Sequence, residues 1–202
     1  MELILNNTAG QTPLNEEERE GLVIKSLSTR QELNEFEQQN IEAAIGWLTG
    51  RNIAADRILS ESFIKDLHYK MFGSVWSWAG TFRRIDKNIG VDWRTIGIEL
   101  KKLLDDCYYW LSNKTFSEEE IAVRLKHRLV YIHPFSNGNG RHSRLMADIM
   151  MEKVFHKPIF SWGGINLVSA DNGRSDYIKA LKAADGGDYT LLLDFAESKG
   201  EN

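Results

Sequence analysis

The 202-residue chain carries 25 Lys and Arg against 29 Asp and Glu, a formal net charge of −4. That acidic balance excludes a general binder of nucleic acid or of anionic membrane surfaces, and no DNA partner is expected. A single cysteine, Cys107, excludes an intrachain disulfide. The length suits one compact domain with a small arm, divided by pattern into 1–55 and 56–202. Met1 to Gly10 has neither a basic start nor an apolar run, and no apolar stretch approaches ~18 residues. Neither a leader nor a membrane span is therefore expected, and the expected location is the cytoplasm.

Residues 1–14 read as an arm, and Asn15 to Glu18 as the start of a short acidic helix. Leu22 to Ile24 fit either that helix or a short extended piece. A clear helix starts at Ser28 to Glu32, with Ser28 or Thr29 as N-cap and Glu32 as a capping-box acid. Leu33, Phe36, Ile41, Ala44, Ile45 and Leu48 line one face, and Gly50 ends it. Ser60 caps a helix to Phe72. The run Val75 to Arg84 is rich in aromatics, and Ile85 to Trp93, with Asn88 and Gly90, has hairpin chemistry. Asp92 to Leu111 is a long helix that puts Cys107 on its apolar face as a core residue. Ser117 opens a helix that runs into His133-Pro134, where proline stops it. Ser175 to Ala184 and Asp188 to Ser198 are the last two helices. The histidines His68, His127, His142 and His156 show no metal-binding spacing and read as surface or partly buried residues.

The chemistry concentrates in His133-Pro134-Phe135-Ser136-Asn137-Gly138-Asn139-Gly140-Arg141-His142-Ser143-Arg144. Gly138-Asn139-Gly140 is a turn whose backbone can approach a ligand. Helical periodicity follows at once (Leu145, Ile149; Met146, Met150), so the glycines sit at a helix N-terminus. There the unpaired N–H groups and the helix dipole favour an anion. Arg141 and Arg144 add guanidinium forks suited to phosphate. His133, five residues before the turn, is the group here that takes up a proton near neutral pH. A base beside a phosphate cradle points to transfer of a phosphate-containing group to a hydroxyl.

These residues resemble the Fic family pattern, His-x-Phe-x-(Asp/Glu)-Gly-Asn-Gly-Arg-x-x-Arg. Seven fixed positions match, against a chance expectation on the order of one in 10⁹ at a given start. Asn137 stands where the family has an acid that holds Mg²⁺, and the chain looks similar to the branch called mobile mystery protein B. The resemblance implies an all-α fold with one short β-hairpin and a protein adenylyltransferase that moves AMP from ATP to a Ser, Thr or Tyr hydroxyl of a protein target. His133 would be the general base. Gly138, Asn139 and Gly140 would hold the α-phosphate, Arg141 and Arg144 would neutralise the phosphates, and Phe135 would anchor the loop. Asn137 would hold Mg²⁺ weakly through its amide oxygen. The run Trp78-Ala79-Gly80-x-x-Arg83 resembles the approach to the family's flap, a hairpin that takes target peptides by strand addition. Arg174 and Tyr177 resemble a pair on the base side of the nucleotide. Ser28-x-x-x-Glu32 resembles the family's inhibitory helix, which implies a salt bridge from Glu32 to Arg144. A non-catalytic nucleotide-binding protein, a related group transfer and a removal reaction stay open, as do a homo-oligomer and a small regulatory partner of the toxin–antitoxin kind.

Overall fold

A computed structural model describes residues 19–27, 29–164 and 172–198. Helix α1 (Arg30–Leu48) is followed by the short α2 (Ala55–Ile58) and by α3 (Glu61–Phe72). A 3₁₀ turn (Trp93–Thr95) leads into α4 (Ile96–Asn113), then come α5 (Glu118–Ile132), α6 (Asn139–Ile149), α7 (Asn172–Asp185) and α8 (Thr190–Glu197). The starts of α1, α3 and α5 are set by small hydroxyl side chains that accept otherwise unpaired N–H groups. Ser60 accepts the Phe63 N–H at 3.2 Å, and Ser117 the Glu120 N–H at 3.1 Å. At α1 the capping box is complete: Thr29 Oγ1 accepts the Glu32 N–H at 3.2 Å, and Glu32 Oε2 accepts the Thr29 N–H at 3.1 Å. Helix α5 ends at His133, whose φ of 54° lies in the left-handed region just before Pro134. Helix α6 runs on through a π turn (Met150–Val154), so the expected helix to about Phe155 is present with a widened last turn.

The core lies where α5 and α6 pack on each other. Val123, Leu125, Leu129 and Ile132 from α5 meet Met146, Ala147 and Met150 from α6, all of them buried. Phe63, Ile64, Leu67, Met71 and Phe72 of α3 join the same core, and α4 adds Ile96, Leu100, Leu103 and Cys107. Each such side chain contributes roughly 1.5–3 kcal/mol by leaving water. Burial pushes the Cys107 thiol up to about 12, so it behaves as a small core residue, as its pattern implied. No helix among the described residues is long and apolar enough to cross a membrane.

The structure settles one open reading of extended backbone and corrects one expectation. Leu22 is extended and forms an isolated antiparallel bridge to Trp76, with the Val23 N–H on the Val75 carbonyl (2.8 Å) and the Ser77 N–H on the Gly21 carbonyl (2.8 Å). The hairpin expected over Ile85 to Trp93 is a loop, and no strand ladder occurs among the described residues. The reason is the buried Arg83. Its guanidinium donates to the carbonyls of Ile85 (2.7 Å) and Val91, which draws the two ends of the loop onto one side chain rather than onto each other.

Helix α1 buries Leu33, Ile41, Ala44 and Leu48 against α3 and is fastened at one polar point. Glu37, with 7% of its side chain exposed, pairs with Arg141 at 2.7 Å. Its other oxygen accepts the Trp76 indole N–H at 2.7 Å. Removing one member of a buried pair is expensive because it strands the other. Arg141 keeps 26% of its side chain exposed, so water softens the loss. Glu37→Ala is expected to lower stability by about 3 kcal/mol, whereas Glu32→Ala, which removes an exposed capping contact, is expected to cost about 1 kcal/mol. Urea denaturation of the two variants side by side checks the order.

Candidate active site

The loop between α5 and α6 is held by one amide. Asn139 Oδ1 accepts the Phe135 N–H at 3.0 Å, and Asn139 Nδ2 donates to the Phe135 carbonyl at 2.7 Å. Both hydrogen bonds are buried, where an unmade one would cost the full desolvation of its partner. The Phe135 ring is fully buried and stacks on His68 with ring centres 3.7 Å apart. Gly138 has φ 77°, and a Cβ there would lie 2.6 Å from the Phe72 ring. A side chain at 138 is therefore excluded by conformation and by space. The turn then delivers Asn139 and Gly140 as the first residues of α6, with their N–H groups at the positive end of the helix.

His133 is buried beside this turn. Its Nδ1–H donates to the Val130 carbonyl at 3.3 Å, the tautomer that places the lone pair on Nε2. Burial, with the nearby Arg83 and Lys87 cations adding to it, moves its pKa down to about 4, so the ring is neutral at physiological pH. Its backbone is fastened by Arg83, which donates from Nε to the His133 carbonyl at 2.7 Å and from its main-chain N–H to the Pro134 carbonyl at 2.9 Å. Gly90, at φ 101°, brings the 84–90 loop against His133: a Cβ there would lie 2.6 Å from His133 Cβ.

The two motif arginines diverge. Arg141 lies over the Phe72 ring (4.9 Å) and pairs with Glu37. Arg144 donates from Nε to the Gly140 carbonyl at 3.4 Å and makes no ion pair among the described residues. Burial pulls its pKa down to about 10, with Tyr177 and Asp148 opposing that shift. Asp148, one turn further along α6, is pushed up to about 7 by burial while its Oδ1 accepts the Trp162 indole N–H at 3.0 Å. Tyr177 meets this group through its hydroxyl, which Lys126 contacts. Arg174 lies on α7 one turn before Tyr177, and its side chain lies outside the described residues, as does Ser28. The carboxylate of Glu32 accepts the Thr29 N–H at its own helix start, and the expected pair with Arg144 is not made. The acid of α1 that reaches the motif is Glu37, and it takes Arg141.

The Fic/DOC family profile matches residues 58–151, which contain every motif position from His133 to Arg144. A protein adenylyltransferase Fic of Aedes aegypti is 26% identical over 159 residues, covering 77% of this chain and 30% of its own length. Among solved structures, Fic-1 of C. elegans (residues 134–508) superposes with a TM-score of 0.65 at 24% identity, over 88% of this chain and 51% of that one. BepC of Bartonella tribocorum, solved with bound AMPPNP, gives a TM-score of 0.66 at 16% identity over 91% and 97%. Residues 58–151 are a Fic/DOC domain. The chain spans about a third of the length of the curated relative it matches, and the all-α Fic fold is the one the helices build.

The Fic loop of this chain does not fit a protein-held Mg²⁺. Asn137 Oδ1 accepts the Gly138 N–H at 2.7 Å, and its carbonyl accepts the His68 Nε2–H at 3.0 Å. The amide carries no charge, whereas Mg²⁺ is ordinarily held by one or two carboxylates plus phosphate oxygens. Among the described residues no cluster of three or more His, Cys, Asp or Glu side chains surrounds it.

Four residues of the site were not read as functional in the sequence. Arg83 and Gly90 appeared only as parts of the flap pattern. His68 and His142, expected at or near the surface, are buried supports of the loop. His68 Nδ1 accepts the Gly80 N–H at 3.0 Å, which fixes the proton on Nε2 for Asn137. His142 Nε2 donates to the Ile64 carbonyl at 3.0 Å. His127 is buried too, between the Tyr189 hydroxyl (3.0 Å) and Asp185 (2.9 Å). Their shared signal is a histidine on an apolar helix face, with a backbone carbonyl in reach of His68 and His142.

Burial also lowers His142 to about 4. Between pH 4 and 6.5 the unfolded chain binds protons at His133 and His142 that the folded chain refuses. Stability therefore rises with pH across that window and is lost as pH falls through it. Each group adds up to about 1.4 kcal/mol per pH unit to the slope. His142→Gln, which keeps a donor for Ile64, is expected to flatten the slope by that amount, as read from urea midpoints at pH 4.5 and 6.5.

Proposed function

We propose that this chain is a protein adenylyltransferase, transferring AMP from ATP to a hydroxyl of a protein target. The observation that carries the reading is the neutral His133, its lone pair on Nε2, next to the Gly138–Gly140 turn that opens α6. The names of its relatives among the adenylyltransferases support the same reading. The α-phosphate would lie on the N–H groups of the turn, which favour the charge that develops on its oxygens. His133 Nε2 takes the proton of the target hydroxyl as that oxygen bonds to the α-phosphorus. The bond from the α-phosphorus to the bridging oxygen breaks, and pyrophosphate leaves. Arg144 faces the leaving phosphates. Arg141 holds the turn against α1 through Glu37, and Asn139 acts by shaping the loop. The 84–90 loop, tied to the His133 backbone by Arg83, presents the target segment. A cytoplasmic setting suits this chemistry, since ATP is plentiful there.

No step of this scheme runs through Mg²⁺. A cation that accompanies ATP would take its ligands from the phosphates, with Asn137 adding at most one neutral oxygen.

Labelling by radioactive ATP, GTP, CTP and UTP, with and without Mg²⁺, tests the reading. Self-labelling or target labelling is expected with ATP, and its loss by about 10²–10⁴-fold in His133→Ala, with nucleotide binding retained. Wild-type labelling in His133→Ala would remove His133 from the base role. Binding of nucleotide with no labelling would leave a non-catalytic nucleotide-binding protein. Asn137→Asp puts a full charge where the cation approaches, so labelling should then saturate at lower Mg²⁺. An unchanged Mg²⁺ dependence in Asn137→Asp would show that residue 137 is not a ligand.

A further inference from the structure

Lys126 has no place in the chemistry above. It lies on α5, seven residues before the left-handed His133 that ends the helix. Its side chain is fully buried. Its contacts are the Tyr177 hydroxyl, the Tyr177 ring (4.1 Å from the ammonium) and, further off, the Trp162 ring (5.8 Å). No carboxylate pairs with it among the described residues. The charged group nearest in effect is another cation, Arg144 of the Fic motif, close enough to oppose its protonation. A fully buried lysine with no acid of its own, set beside the half-buried Arg144 cation, is an arrangement that water-poor surroundings penalise. It becomes favourable when an anion enters between them.

We propose that Lys126 is a second cationic ligand, beside Arg144, for a phosphate of the bound nucleotide. The inference rests on the adenylyltransferase reading and assigns that site a residue outside the His133–Arg144 motif. It fits the missing carboxylate of the loop. Where Asn137 offers a metal no charge, positive charge for the phosphates comes from the protein. In the empty site, burial and Arg144 hold Lys126 well below its ordinary pKa, which favours the neutral amine donating to or accepting from Tyr177. A phosphate reverses the balance, and the amine takes a proton from solvent as the nucleotide binds. The other groups around it are His127 on its own helix, which burial also disfavours as a cation, Asp148 and Arg144 on α6, and Tyr177 on α7. Asp148, at about 7, is the one other group placed to take a proton from the same event.

The test is calorimetric titration of ATP into the full chain at neutral pH, in buffers of different ionisation enthalpy, which counts protons exchanged per nucleotide. Wild type is expected to take up protons, Asp148→Asn to keep an uptake of up to about one proton, and Lys126→Met in the Asp148→Asn background to lose it. Methionine has a similar reach and no charge, and a thermal melt confirms that the variant folds. ATP affinity is expected to fall about 10- to 100-fold in Lys126→Met, the worth of one charge-assisted contact, and to weaken in wild type as pH rises. ATP binding with no proton uptake in Asp148→Asn, or with less than about a twofold affinity change in Lys126→Met, overturns the assignment and leaves the functional reading standing. The first of these needs no change at Lys126, so it decides even if Lys126→Met fails to fold. Absence of binding by any of the four nucleotides overturns both together.

Discussion

The site depends on the two hydrogen bonds between the Asn139 amide and the Phe135 backbone. Asparagine offers one donor and one acceptor on a short side chain, and the buried Phe135 backbone needs both. An aspartate at 139 would present two acceptors to a carbonyl, and an apolar residue would leave two buried groups unpaired. This clamp closes the loop into a fixed turn before any ligand arrives. Phe135 then fills the core on the His68 ring, Gly138 lies against Phe72, and the first N–H groups of α6 stay available to an anion. Preorganised dipoles of this kind need little rearrangement when charge develops, which is what makes them effective.

Around the clamp, the protein has arranged its polar groups so that few charges are left near the turn. His68, His133 and His142 are neutral by burial. Arg83 is spent on three carbonyls, and Arg141 on Glu37. Arg144 and Lys126 are left without an ion pair among the described residues, with Asp148 half-neutral behind them. The neutral base is the useful state for taking a proton from a hydroxyl. The unbalanced positive charge is the useful state for a phosphate. Both follow from desolvation, which sets the protonation states at the site while costing the fold stability.

Much of the fold was legible because helix starts are local. Thr29, Ser60 and Ser117 cap the helices they open, and Pro134 stops α5. The motif residues were legible because seven identities at fixed spacing rarely coincide. Long-range polar pairing was not. Glu37 looks like any acid in a helix rich in Glu and Gln, and only the packing of α1 on the motif brings it to Arg141. Glu32 fitted two patterns at once, and the shorter-range one, the capping box with Thr29, is the one formed. The hairpin failed because Arg83, 50 residues from His133 in sequence, takes the carbonyls that a ladder would use. Lys126 sits in a helix face among Leu125, Leu129 and Ile132, where periodicity marks a buried position but not its partner.

Amide NMR of the titrated protein tests the central claim, that the Asn139-clamped turn is a preformed anion site, most directly. Addition of inorganic phosphate, and separately of AMP, should move the backbone amide signals of Gly138, Asn139, Gly140 and Arg141 more than any others. The same additions to Asn139→Leu should leave that region unmoved while the helical core stays folded. Shifts confined to other surfaces, or an undiminished response at 138–141 in Asn139→Leu, would contradict the account.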